Sequence, residues 1–203
     1  MKTRFLALAL TIAAGSAQAA YQRNTDPNWP CQQIKVPDLS VAAVWTGPSL
    51  DAARATWSSD PQIADLARRL SQRRVPLDQA ETEVAAFAKQ AGSDRQAKLV
   101  ALFAGLFDIL DQQRASVIAG LDRFGERQKV LAANLRSEGE ALRALQSGTD
   151  PDPAKTAELT QQITWDTQIF EERRQSLSFA CDVPNAIEQR LFGLARAIQQ
   201  ALG

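Results

Sequence analysis

The sequence contains no histidine, and this absence excludes several kinds of chemistry at once. Ser-His-Asp and Cys-His catalysis, histidine metal sites and ordinary haem attachment all require an imidazole. The two cysteines, Cys31 and Cys181, lie 150 positions apart, so the CxxC spacing that tunes thiol reactivity is also missing. We therefore expect no catalytic residues, no metal and no cofactor, and we expect that the chain is not an enzyme.

Neither sign of charge is in excess, because 23 lysines and arginines are matched by 23 acidic residues. A balanced chain offers no electrostatic argument for binding nucleic acid. Long apolar runs are missing as well, since no stretch after the first nineteen residues reaches the roughly eighteen uncharged apolar residues of a membrane span. The sequence thus predicts no nucleic-acid partner and no transmembrane segment.

Residues 1–19 have the composition of a secretory signal. Lys2 and Arg4 supply a positive start, residues 5–14 form a short apolar run, and small residues precede the end of the segment at Ala19. This pattern predicts cleavage after Ala19 and a mature protein that is periplasmic or secreted.

An oxidising compartment favours a disulfide between Cys31 and Cys181. On the chain-entropy model, a disulfide that closes a loop of this length stabilises the fold by roughly 4 to 5 kcal/mol at most. Two free thiols, or a redox pair, are the alternative.

Residues 20–49 contain four prolines, at positions 27, 30, 37 and 48, which exclude a long helix. We call this segment the strap. Its apolar residues predict that it lies in a groove between helices, held there by Cys31. Short strands are considered at residues 33–36 and 42–45, although an isolated pair of strands would be marginally stable.

Residues 50–203 are predicted to form one helical domain. Its main element is residues 94–146, a stretch without proline in which apolar residues recur at spacings of three and four. Up to Val117 these residues form a broad band that needs neighbours on several sides, and beyond Val117 they narrow to a seam for a single partner helix. Gly120, on the apolar side, is expected to allow close packing or a bend.

Turn residues at 147–153 predict an antiparallel partner for this long helix. Asp152 is predicted to cap this partner, with Pro153 at its first helical position, and Asp60 followed by Pro61 predicts the same kind of helix start earlier in the chain. The partner is expected at residues 154–180, and a separate last helix is expected to start at Asp182 and Pro184. The fold class is therefore predicted as all-α, with a helical bundle base, a protruding antiparallel coiled-coil hairpin and an N-terminal extended strap. We call the hairpin, at about residues 117–179, the arm.

Trp165 and Ile169 are the candidate interface, because they lie on a flank of the arm seam and tryptophan is enriched at binding hot spots. The alternative, which the sequence favours, is that Trp165 wraps over the seam and packs on the opposite helix. Gln128, Glu138, Asp166 and Arg173 interrupt the seams and are interpreted as residues that fix their register.

Trp45 and Trp57 are a candidate pocket for a small apolar ligand. A basic cluster formed by Arg68, Arg69, Arg73 and Arg74 is a candidate contact for anionic groups, although cations at a helix C-terminus are also explained by the helix dipole.

Asp108 and Asp111 are the nearest approach to the paired carboxylates of a glycosidase, but Asp108 points away from the apolar band and is expected to be exposed.

The preferred functional hypothesis is an exported protein that binds an unknown envelope protein through its arm, as an adaptor, scaffold or holding chaperone. Homo-oligomers formed through the arm are a variant of this hypothesis. The alternatives are a carrier of a small apolar ligand at Trp45 and Trp57 and, more weakly, a carboxylate-dependent cell-wall hydrolase.

Overall fold

A computed structural model of the chain describes residues 26–149 and 152–203. These residues form six α-helices and two short 3-10 helices and contain no strand, which confirms the all-α prediction. The predicted signal segment and its cleavage point lie outside the described residues. The α-helices are α1 (Val41–Val44), α2 (Asp51–Thr56), α3 (Pro61–Leu70), α4 (Leu77–Gln90), α5 (Arg95–Ser147) and α6 (Pro153–Leu202), and the 3-10 helices are Trp57–Ser59 and Gly92–Asp94.

Two helices begin at an aspartate followed by proline. The Asp60 carboxylate accepts hydrogen bonds from two backbone N–H groups at the start of α3, and Asp152 does the same for α6. The backbone N–H of Lys155 is the main reason why the pKa of Asp152 is lowered. These bonds satisfy donors that have no partner inside the helix, so both predicted caps are confirmed.

The core surrounds the first third of α5, which packs against α2, α3, α4 and the last part of α6. Leu99, Phe103, Leu106 and Leu110 are fully buried there. Trp45 stacks on Phe103 with ring centroids 4.1 Å apart. The broad apolar band is therefore covered on several sides, as predicted. We call this part of the molecule, residues 50–116 and 180–203, the base.

The prediction of a separate last helix is wrong, because α6 is one helix of 50 residues that contains Pro184. Proline removes the hydrogen bond to the carbonyl of residue 180 and costs about 3 kcal/mol in a helix interior. Burial of Ile187, Leu191 and Leu194 on α5 offsets this cost, since each buried side chain of this size is worth about 1.5 to 3 kcal/mol. α6 therefore belongs to both the arm and the base.

The strands considered for the strap are also absent from the described residues. Residues 41–44 form the single turn α1, while Ile34 and Val36 remain about half exposed, at 49% and 50%. The segment that contains them lacks a neighbouring strand, and the carbonyls of Val36 and Pro37 instead accept hydrogen bonds from Arg114. Only part of the strap's apolar surface lies in a groove, with Trp29 and Trp45 buried.

Arg190 of α6 lies in the base and holds the end of α3. Its guanidinium donates to the carbonyls of Leu70, 2.7 Å away, and Val75, 2.8 Å away. Burial lowers the pKa of Arg190, yet a guanidinium keeps its proton in proteins. The cation that contacts the last carbonyl of α3 thus comes from α6, whereas the sequence suggested the cluster of Arg68, Arg69, Arg73 and Arg74 for this role.

The arm is a pair of antiparallel helices, α5 and α6, that are continuous across its whole length. Gln128 donates to the Phe170 carbonyl at 3.3 Å, and Gln162 donates to Glu138 at 2.8 Å. These two contacts are 10 residues apart on α5 and 8 apart on α6. Two of the four polar residues in the seams therefore join the helices across the arm.

No helix in the part of the chain that the structure describes is both long enough and apolar enough to cross a membrane.

Candidate interaction surface on the arm

Trp165 is largely exposed on the outer flank of the arm, with 64% of its surface accessible to solvent. The interpretation that it packs over the seam is therefore wrong. Trp165 lies about 120° around α6 from the centre of the seam, and within residues 26–149 and 152–203 no third helix covers this side of the arm. Ile169, one turn further along, is partly buried against the seam.

Polar residues surround Trp165 on the same side of α6. Glu158 and Glu172 lie seven residues before and after it, which places each within about 20° of its direction and about 10.5 Å along the axis. Gln161 and Gln168 lie between them. We call these five residues the Trp165 face. An open groove of about 580 Å³ follows this face and is lined by Glu158, Gln161, Gln162, Thr164, Trp165 and Gln168.

The segment of α6 around Trp165 is acidic. Residues 156–172 include four carboxylates, at positions 158, 166, 171 and 172, and neither lysine nor arginine. Glu171 pairs with Arg174 at 2.8 Å. Among the described residues, Glu158 and Glu172 have no cation within ion-pair distance, and Glu172 accepts a hydrogen bond from Gln168 at 2.9 Å. The Trp165 face thus combines an exposed indole with two unpaired negative charges.

Phe179 is a second exposed aromatic residue on α6, with 78% of its surface accessible. It lies 14 residues after Trp165, which is about 40° around the helix and about 21 Å along it. Phe179 is not among the candidate residues predicted from the sequence. The helical period places Phe179 outside the seam and on the same side of α6 as Trp165, and this spacing could have indicated that it is exposed.

The strap is fixed at the foot of the arm by a disulfide and an ion pair. The predicted Cys31–Cys181 bond is present and packs beside Trp29, Ile118 and Leu121. Lys35 lies between two carboxylates, 2.5 Å from Asp26 and 2.8 Å from Asp122.

The contacts of Lys35 shift its own pKa and that of Asp26. The pKa of Lys35 is raised, mainly by its hydrogen bond to Asp122 and to a smaller extent by its hydrogen bond to Asp26. The hydrogen bond that Lys35 donates is also the main reason why the pKa of Asp26 is lowered.

Gly125 is the glycine that permits close approach on the arm. A side-chain carbon at Gly125 would overlap the carbonyl oxygen of Asn28 in the strap, whereas one at Gly120 would meet only the tip of Arg123, 3.9 Å away. The expectation of close packing at Gly120 is therefore wrong, and α5 continues through this residue. A glycine is needed where the strap backbone crosses α5.

Arg114 is a buried cation that is not among the candidate residues predicted from the sequence. It is only 3% exposed, pairs with Glu188 of α6 at 2.6 Å and donates to the strap carbonyls of Val36 and Pro37. It therefore joins the strap, α5 and α6. The sequence contained a sign of this role, because Arg114 lies four residues after Leu110 and four before Ile118, within the apolar band.

Trp45 and Trp57 are not brought together as the walls of one cavity. Trp45 stacks on Phe103 and donates to the Pro48 carbonyl, whereas Trp57 packs against Gly105 and donates to Asp108 at 3.1 Å. Residues 103 and 105 point in directions about 160° apart on a helix. Both indoles are occupied by contacts within the protein, and a ligand at this site stays a prediction.

The basic cluster is exposed at the end of α3 and in the turn after it. Arg68 pairs with Asp65 and Arg69 pairs with Glu83, so acids within the chain already neutralise half of the cluster. Arg74 donates to the side chain of Gln72. An anionic contact for this cluster stays a prediction.

Asp108 is not simply exposed, which corrects the prediction made from its direction on α5. It pairs with Arg54 at 2.8 Å and accepts a hydrogen bond from Trp57. Neighbouring elements in the base thus cover a side of α5 that the helical period alone assigned to solvent.

No group of three or more acidic or cysteine side chains in the described residues is arranged to hold a metal ion.

The fold and these contacts define an all-α protein with a disulfide-tied strap and a two-helix arm. Comparison with known proteins gives no match, whether with a family model, a curated protein or a solved structure.

Proposed function

We propose that this is an exported protein that binds another protein through the outer part of its arm. The observation that carries the proposal is the exposed Trp165, held on a rigid helix away from the base. An indole offers a large apolar surface with little conformational freedom to lose, which is why tryptophan is frequent among residues that dominate binding energy.

Export is supported by the disulfide and by the composition of residues 1–19. Disulfides persist in oxidising compartments and are rare in the reducing cytosol. The Cys31–Cys181 bond forms within the mature chain and needs no second molecule. The periplasm or the extracellular space is therefore the compartment in which to seek the partner.

Removal of the outer arm is the direct test of the proposal. Deleting residues 132–166 and joining Leu131 to Thr167 through a short Gly-Ser loop leaves the Gln128–Phe170 contact, the disulfide and the strap in place. Crosslinking in whole cells, followed by mass spectrometry, should recover a partner with the full chain and lose it with the shortened chain. Identical partner lists for the two chains would contradict the proposal.

Trp165→Ala separates binding from stability. Because the side chain is largely exposed, we expect thermal unfolding to change little, by about 0.5 kcal/mol or less, while recovery of the partner falls. Val130→Ala, at an exposed apolar position on the other arm helix, is the matched control and should keep the partner. A large loss of stability in Trp165→Ala would show that the indole is structural.

A further inference from the structure

The charge around Trp165 indicates what kind of partner fits it, and this inference rests on the proposed function. We propose that the Trp165 face docks a segment of another protein that carries lysine or arginine on both sides of the residue in contact with the indole. The two flanking carboxylates, Glu158 and Glu172, are exposed and lack cations within the described part of the chain.

The indole itself is suited to a cation. Tryptophan is the aromatic residue that attracts lysine and arginine most strongly over its ring, and arginine also stacks on it. The amides of Gln161 and Gln168, on the same face, can accept from the N–H groups of a guanidinium. An arginine over Trp165, with further basic residues about 10.5 Å to either side, would match the spacing of the carboxylates.

The same charges argue against other occupants. A second copy paired face to face through the Trp165 face would set Glu158 and Glu172 against identical groups, and like charges across an interface are unfavourable. Anionic lipid and nucleic acid present negative charge and would be repelled by residues 156–172, where the described chain has acids and no bases. A basic protein segment is the occupant that satisfies both the indole and the carboxylates.

The test places a photoreactive amino acid at Gln161, on the Trp165 face, or at Ser137, on the outer side of α5, in the full chain. After irradiation in whole cells, mass spectrometry identifies the segment that is attached. We expect capture at position 161 and not at 137, with lysine and arginine outnumbering acids in the captured segment. Capture should fall about tenfold in Glu158→Lys/Glu172→Lys and weaken as salt is raised.

Glu126→Lys/Glu140→Lys is the control, because it makes the same change of net charge on exposed acids of α5. Capture at position 161 should be unaffected by this pair of substitutions, and an equal loss in both double variants would overturn the proposal. Capture of a second copy of this chain would also overturn it.

A captured segment that is neutral or acidic, with capture still dependent on Trp165, would refute the basic partner and leave binding through the arm intact. Absence of any capture at position 161, together with unchanged partners in the shortened chain, would reject both.

Discussion

The base and the arm share the two long helices α5 and α6, yet the apolar residues of these helices have different surroundings in the two regions. In the base, Leu99 and Leu106 are fully buried because α3, α4 and the end of α6 surround α5. In the arm, Leu135 and Leu142 are only partly buried, since each helix has one neighbour. The number of neighbours, rather than the composition of the helix, decides how much of a leucine is covered.

The largest expected effect tests this difference directly. Leu106→Ala should lower the free energy of unfolding by about 2 to 5 kcal/mol, because it leaves a cavity in the base. Leu142→Ala makes the same change in the arm, where it should cost about 1 kcal/mol, since solvent already reaches the side chain. Urea unfolding of the two variants measures both values, and equal losses would contradict the distinction.

The disulfide tests whether the strap belongs energetically to the base or to the arm. The double variant Cys31→Ser/Cys181→Ser, which leaves no free thiol, should lose about 2 to 5 kcal/mol of stability. Hydrogen exchange should then increase most in the strap and in residues 118–125 of α5, which it covers. An equal increase in hydrogen exchange in the strap and throughout the base would show that the disulfide stabilises the whole molecule equally.

Two glycines in the arm half of α5 provide a matched pair. Gly125→Ala should destabilise the protein by about 1 to 3 kcal/mol, because the new methyl group collides with the Asn28 carbonyl of the strap. Gly139→Ala meets nothing within 4 Å and should stabilise the helix by about 0.5 to 1 kcal/mol. Thermal unfolding of both variants decides the signs, and a stabilising Gly125→Ala would mean that the strap does not press on α5.

The smallest expected effect is the dependence of the strap on pH. Asp26 has a pKa below its ordinary 3.8, so its contribution is present above that value and is lost as pH falls further. Lys35 has a pKa above its ordinary 10.5, so its contribution is present below that value and is lost as pH rises through the folded pKa. The ion pairs should therefore hold the strap between about pH 4 and pH 10.5.

Protection of strap amides from hydrogen exchange, corrected for the intrinsic effect of pH, reports this window. Lys35→Met should lower the protection of strap amides within this pH range and should weaken the pH dependence at both of its limits. A pH profile that keeps the same limits without Lys35 would rule out the ion pair of Asp26 and Lys35 as their cause. Lys129, which also acts on Asp26, is the remaining cation to consider.

Periodic patterns and capping residues allowed much of the fold to be predicted. The start of α3 at Pro61 and the start of α6 at Pro153 follow from local chemistry, because an aspartate cap and a proline act within one turn. The same local rule failed at Pro184. There a proline inside α6 is tolerated because residues far away in the sequence bury the turns that follow it.

The candidate site was predictable only in part. The helical period placed Trp165 off the seam, but whether a neighbour covered it depended on the absence of a third helix beside the arm in the described structure. The exposure of Phe179 depends in the same way on which elements lie next to α6. So does the lack of a cation beside Glu158 and Glu172 in the described residues. Such contacts join residues that are distant in the sequence, and periodicity does not report them.

By itself the sequence determined the all-α class, the antiparallel pair of helices in the arm, the capped starts of α3 and α6, and the pairing of Cys31 with Cys181. These features depend on the spacing of apolar residues, on local turn chemistry and on the presence of only two cysteines. The tertiary structure decided the continuity of α6 through Pro184, the capture of the strap by Arg114 and Gly125, and the exposure of Trp165. Each of these depends on which element lies beside which, and packing settles that only after the helices have formed.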